Sequence, residues 1–300
     1  MSRQRKAYLL ALAAILFWST AGSAFKLSLD RTPTSEPQLL LFATAVSLAF
    51  LAIWQAFRGR LRKSFRLSRR EWINSAIMGA LNPFGYYIVL FKAYNLIQAQ
   101  EAVALNYVWP LTLVLLSIPV LKQKISMMSI LALLLSFSGI VVIVVYMSTS
   151  GIYDDQQSTP LGIFLALASS LFWAGFWLMN MRDKREEAAK LLVSFLFGFI
   201  YILIYFPLYL LITGDEFIIT LPGLAGSAYI GIFEMGLTFV LWLKALQLSS
   251  TTARVSNLVY ISPFLSLMFV SVAVGETIQA YTIVGLVLIV GGIVMQRAVR

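Results

Sequence analysis

The chain has no cysteine and no histidine among its 300 residues. Disulfides, zinc sites built on Cys or His, thiol nucleophiles and Ser-His-Asp triads are therefore excluded. Charge is scarce too, at 12% of residues, where soluble domains carry about a quarter. Acids are the scarcer sign: 13 Asp and Glu face 23 Lys and Arg, for a net charge of +10. Apolar residues fill the rest. They make up 60% of the chain, and the mean hydropathy is +0.84. A membrane helix takes about 20 apolar residues, so the chain suffices for about nine or ten spans. The loops left over are too short for a soluble domain, and residues 1–300 read as one membrane domain. In so apolar a chain the basic excess marks loops beside a bilayer rather than a nucleic-acid surface. A phosphate-binding G-x-x-x-x-G-K-[ST] pattern is absent, and no cofactor is expected.

Ten apolar runs stand out, near 7–27, 38–57, 71–94, 100–121, 127–147, 160–181, 190–213, 222–245, 252–274 and 278–297. Turn or charge signals separate them, such as Asp30 to Pro33, Gly151 to Pro160 and Gly214 to Glu216. The basic start Arg3, Arg5, Lys6 precedes a run too long for a signal peptide, so the first helix reads as uncleaved. Alternating the loops places 20 of the 23 basic residues on one side. That side includes the Arg58 to Arg70 loop and Arg182 to Lys190, and Lys26, Arg31 and Lys92 are the exceptions. Basic loops stay cytoplasmic, which predicts cytoplasmic termini at both ends.

Sliding the chain against itself uncovers a repeat. Gly79 to Leu96 aligns with Gly231 to Leu248 at an offset of 152, with Lys92 meeting Lys244. At 153, Tyr107 to Pro110 meets Tyr260 to Pro263, and Gly139-Ile140-Val141 meets Gly292-Ile293-Val294. Phe17-Trp18 also matches Phe172-Trp173. The expected architecture is all-α, with ten transmembrane helices in two five-helix repeats, 7–147 and 160–297, joined by a linker at 148–159. Five is odd, so the second repeat runs through the bilayer inverted. Many secondary transporters are built this way, with the substrate near the midplane and access alternating between the sides.

Residues that break the apolar rule are the candidates for that site. Glu234 lies midway along the eighth run, where an ionised carboxylate costs several kcal/mol unless it meets water or a partner. It is read as an ammonium ligand or a proton carrier. Asn82, Asn106, Asn180 and Asn257 are the buried amides, and interhelical bonding is the plainer reading of Asn180. Pro83, Pro110 and Pro263 are candidate hinges, because proline strips a hydrogen bond from the carbonyl four residues before it. Lys92 is read as snorkelling. Trp72 and Tyr281 belong to an interfacial belt, whereas Trp18, Trp109, Trp173 and Trp177 lie deeper. Together with Tyr86 these rings form the wall expected around a flat solute.

Phe17-Trp18-Ser19-Thr20, Phe172-Trp173-Ala174 and Gly275-Glu276-Thr277 resemble motifs of the drug/metabolite transporter superfamily. The segment Glu101 to Pro110, EAVALNYVWP, is similar to the fourth helix of bacterial aromatic amino acid exporters. That resemblance implies Tyr107, Trp109, Trp173 and Tyr260 as cavity residues. It also implies export of aromatic, or other hydrophobic, amino acids across a bacterial inner membrane by alternating access, with proton coupling as an open question. A metabolite, drug or non-aromatic amino-acid transporter of the same fold is the alternative. A membrane assembly subunit without transport is the different-class alternative.

Overall fold

A computed structural model describes residues 2–109, 112–113, 115–116, 127–149, 159–249 and 257–298. Among them the chain is helical throughout, with no strand. The helices are α1 (Arg3–Asp30), α2 (Glu36–Phe57), the short α3 (Leu61–Ser64), α4 (Arg69–Gly79), α5 (Tyr86–Leu96), α6 (Ala99–Asn106) and α7 (Met127–Thr149). They continue with α8 (Pro160–Arg182), α9 (Glu187–Thr213), α10 (Leu221–Tyr229), α11 (Leu237–Leu248), α12 (Ser262–Phe269) and α13 (Ala280–Ala298). Each of the ten predicted runs contains helix. Among the described residues five stretches are long and apolar enough to cross a membrane: α1, α2, α9, Pro160–Asn180 of α8, and Leu221–Trp242, which covers α10, the kink after it and the first half of α11. Ile130–Tyr146, Leu258–Val274 and Ala280–Met295 are shorter apolar helices.

Local chemistry sets the boundaries. Ser2, Thr159 and Thr220 accept backbone N–H bonds at the starts of α1, α8 and α10. Ser68 and Glu71 form a reciprocal capping box at α4. Helix α9 ends on Gly214, whose φ of 72° is the left-handed cap a residue without Cβ adopts cheaply.

Two π-helical kinks interrupt the third and eighth runs, at Ala80–Gly85 and Ile230–Glu234. The first holds Pro83 after a cis peptide bond, with Asn82 out of helical conformation (φ −151°, ψ 123°). The second contains no proline, so its sequence gave no warning. Pro263 is placed differently from expectation. It occupies the first turn of α12 after a 3-10 turn at Asn257–Ile261, where its missing N–H has no helical partner to lose. Pro110 lies outside the described residues.

Packing between helices repeats itself when the halves are exchanged. Helix α1 packs on α11 and α12, and α8 packs on α5 and α6. Helix α2 packs on α10 and the second kink, as α9 packs on α4 and the first. Two further contacts, α2 with α9 and α7 with α13, map onto themselves. The match extends to single atoms. A Cβ on Gly79 would lie 2.3 Å from the Ser194 carbonyl and 2.8 Å from Phe197. One on Gly231 would lie 2.4 Å from the Ala43 carbonyl and 2.9 Å from Val46. Each glycine lets its kinked helix touch the backbone of α9 or α2 directly, which is how membrane helices gain dispersion contact without a hydrophobic driving force.

Polar clusters sit at both ends of the bundle. At one end Lys26 donates to the Tyr94 carbonyl at 2.9 Å and pairs with Asp30 at 3.3 Å. Lys92, expected to snorkel, instead pairs with Glu36 at 3.0 Å while half its side chain stays exposed. Nearby, Tyr281 donates to Glu101 at 3.1 Å, so its ring is tied to α6 rather than only placed in an interfacial belt. At the opposite end Glu186 accepts from Gln55 at 2.8 Å and Arg58 at 3.2 Å, and Arg185 chelates Asp183. Asn180 takes the buried Lys190 ammonium at 2.9 Å, joining the end of α8 to the start of α9.

Candidate functional site

Between these ends lies a cavity of about 310 Å³. Helix α1 contributes Trp18, Ala21 and Phe25; α5 contributes Tyr86, Leu90 and Tyr94; α6 and the turn after it give Val103, Asn106, Tyr107 and Trp109. From the second half come Trp173 and Trp177 of α8, Glu234 of the second kink, Trp242 of α11, Val259 and Ser266. Leu113 completes the lining. Both halves therefore contribute wall residues.

The walls are aromatic because the helices that meet here each turn a ring inward. Trp173 is the hub, with ring centroids 4.6 Å from Tyr86, 5.8 Å from Phe239, 6.0 Å from Trp177 and 6.4 Å from Trp109. Trp173 and Trp177 lie four residues apart on one face of α8. Trp18 lies 5.3 Å from Trp242 and edge-on to Phe239 at 6.0 Å. Tilted and edge-to-face pairs of this kind each contribute about 0.5–1.5 kcal/mol beyond area burial, which makes the wall stiff.

Polar groups are few and fixed. Asn106 accepts from the Tyr86 hydroxyl at 3.2 Å and donates to Ser169 at 2.9 Å, so both ends of its amide are occupied. Tyr107 of one half and Ser266 of the other both line the cavity. Glu234 is 6% exposed, and its Oε1 accepts from the fully buried Tyr87 hydroxyl at 3.0 Å. Among the described residues its Oε2 has no hydrogen-bond partner, and neither have the indole N–H groups of Trp18 and Trp177. A carboxylate, two indole donors and a shell of rings are the binding chemistry on offer. No cluster of three or more acids able to hold a metal ion occurs among the described residues.

Of the residues singled out from sequence, Trp18, Tyr86, Asn106, Tyr107, Trp109, Trp173, Trp177 and Glu234 line this cavity. Asn82 does not. It is fully buried inside the first kink, at the position that matches Glu234 in the repeat, and neither atom of its amide has a partner among the described residues. Tyr260 packs against the core beside the cavity rather than lining it. The side chain of Asn257 lies outside the described residues. Sequence reasoning missed Trp242, Phe25, Tyr94 and the Tyr87 hydroxyl. One signal was available for Trp242, since the repeat aligns it with Leu90, which also faces the cavity.

Comparison with known proteins follows the same two halves. The profile of the EamA-like transporter family matches residues 5–145 and again 160–297. A protein of Clostridium kluyveri named as an uncharacterized transporter is 23% identical over 293 residues, covering 96% of this chain and 92% of its own. The uncharacterized transporter YoaV of Bacillus subtilis is 22% identical, with 95% and 94% covered. A solved crystal structure superimposes with a TM-score of 0.66 at 21% identity, over 98% of this chain and 96% of that one, and so shares the fold. With nearly its whole length matched by one transporter profile used twice, the chain belongs to the EamA-like transporter family, a multi-pass membrane transporter of the drug/metabolite superfamily.

Proposed function

We propose that this transporter exports aromatic amino acids across the bacterial inner membrane by alternating access. Its ten spans would form two inverted repeats with both termini cytoplasmic. The observation that carries the substrate class is the cavity itself, walled by Trp18, Trp109, Trp173, Trp177, Trp242, Tyr86 and Tyr107. Ligand pockets run from about 300 to 1,000 Å³, so about 310 Å³ suits one amino-acid-sized solute and excludes a large drug. The stacked rings favour a flat side chain over an aliphatic one. The exchange of contacts between α1–α11 and α8–α5 supports the inverted repeat, because rocking one such half against the other moves access from side to side. Both kinks lie on the helices that bring Tyr86 and Glu234 to the cavity, which supports them as flex points. Export, as opposed to uptake, rests on the similarity of Glu101 to Pro110 to aromatic amino acid exporters.

The test is counterflow of labelled tryptophan in proteoliposomes. Saturable exchange that phenylalanine and tyrosine compete for, and leucine competes for weakly, is expected. Exchange of a non-aromatic metabolite in preference to tryptophan would replace this reading. Repeating the assay with and without a pH gradient decides proton coupling.

A further inference from the structure

The charges around the cavity are one-sided. Among the described lining residues Glu234 is the only Asp or Glu, and no lysine or arginine joins it. The basic residue nearest in sequence to the α1 lining is Lys26, next to Phe25. Its ammonium is already committed to the Tyr94 carbonyl and Asp30, off the lining. On α11, Lys244 is exposed rather than turned to the cavity. An ionised carboxylate held in low dielectric without a cation costs several kcal/mol, and the Tyr87 hydroxyl satisfies only one of its two oxygens. The same cavity is lined by Trp173, Trp177, Trp18, Trp242, Trp109 and Tyr86, and an aromatic ring attracts a cation through its quadrupole.

We propose that Glu234 Oε2 and this aromatic cage form a specific ammonium site. The substrate's cationic nitrogen, and not its carboxylate, is then the charged group that fixes it in the cavity. The inference takes the cavity as the substrate site, as the proposed function does, and deepens it by naming the recognised end. It has a consequence for substrate class. Aromatic amines that lack the carboxylate are ligands at least as good as the amino acids, because a single positive charge neutralises Glu234. Aromatic acids that lack the amine are not ligands, because no described lining residue carries positive charge to meet a free carboxylate. The indole N–H groups of Trp18 and Trp177 are neutral donors that suit the oxygens of a zwitterion's carboxylate, whose charge its own ammonium offsets.

Equilibrium binding of labelled tryptamine to the purified protein in detergent tests this apart from transport. Tryptophan, indole-3-propionate and neutral 3-ethylindole serve as competitors. Wild-type protein is expected to prefer tryptamine over indole-3-propionate by about tenfold or more. Glu234→Gln keeps an acceptor for Tyr87 and is expected to lose that preference while binding 3-ethylindole as before, which certifies an intact cavity. Equal competition by indole-3-propionate and tryptamine in the wild type overturns the ammonium site, and that comparison needs no variant. Retention of the preference in Glu234→Gln overturns it as well. Tryptamine binding that depends on Glu234, in a protein that fails to exchange tryptophan, leaves this site standing and removes the proposed function instead.

Discussion

Glu276 and Ala99 lie 177 residues apart, yet the Glu276 carboxylate accepts the Ala99 backbone N–H at 2.8 Å and that of Gln100 at 3.1 Å. The carboxylate thus caps the start of α6 from the other half of the chain, where the helix dipole favours a negative charge. Gln100 returns the contact, accepting from the Gln279 N–H at 2.9 Å and the Thr282 hydroxyl at 3.1 Å. Because α6 carries Val103 and Asn106 to the cavity, this clasp fixes a wall of the site from outside it. Glu276→Ala is expected to cost about 1–2 kcal/mol of stability. Thermal unfolding in detergent should show a drop of a few degrees, and Glu276→Gln should recover part of it.

Trp173 touches five other rings and stands between the halves. Trp173→Ala removes the hub, and truncations of this size cost about 3–5 kcal/mol in a packed interior. Trp173→Phe keeps a ring and is expected to fold, with weaker binding of indole-bearing solutes than of phenyl-bearing ones. Competition by tryptophan and phenylalanine against labelled substrate measures that ratio in both proteins.

The crossings at Gly79 and Gly231 leave no room for a methyl group, since each would meet a backbone carbonyl within 2.4 Å. Gly79→Ala and Gly231→Ala are each expected to destabilise by about 1–3 kcal/mol. Gly175→Ala is the control on α8. Its Cβ would meet only Leu81, at 3.6 Å, an ordinary contact, so unfolding temperature should barely move.

Asp183 links the end of α8 to α9. Partial burial works against its charge, but hydrogen bonds and the charge of Arg185 outweigh that and hold the carboxyl below its ordinary value. A depressed carboxylate contributes stability above its unfolded pKa and loses it as pH falls through the lower folded value. Asp183→Asn is therefore expected to be less stable than wild type at neutral pH. The gap should close as acid protonates Asp183, which unfolding midpoints across a pH series would follow.

The sequence yields the helices because a bilayer demands long apolar runs, and it yields Glu234, Trp18 and Trp173 as candidates because they stand out against those runs. It does not yield Trp242, Tyr94 or Phe25. An aromatic ring inside an apolar helix reads identically whether it faces lipid, core or cavity, and only the packing of the helices decides among them. Tyr87 was hidden for the same reason, since its hydroxyl matters only once α5 meets the second kink. Asn82 shows the converse. Its polarity made it conspicuous, but the bend at Pro83 buries it in the kink, while the aligned Glu234 reaches the cavity. The second kink itself left no trace because no proline produces it.

Helices α7 and α13 pack closely on each other, and none of their described residues lines the cavity. Their outer faces are apolar and exposed, with Leu131, Leu134, Phe137, Val141, Ile283, Val284 and Val287 among the uncovered side chains. This pair can take up part of the adjustment to a thicker or thinner bilayer, through tilt or local lipid deformation, at fractions of a kcal/mol per Å of mismatch. The pair still reaches the site through one joint: Thr282 of α13 donates to Gln100 of α6 at 3.1 Å, so a tilt of α13 bears on the helix that carries Val103 and Asn106 to the cavity.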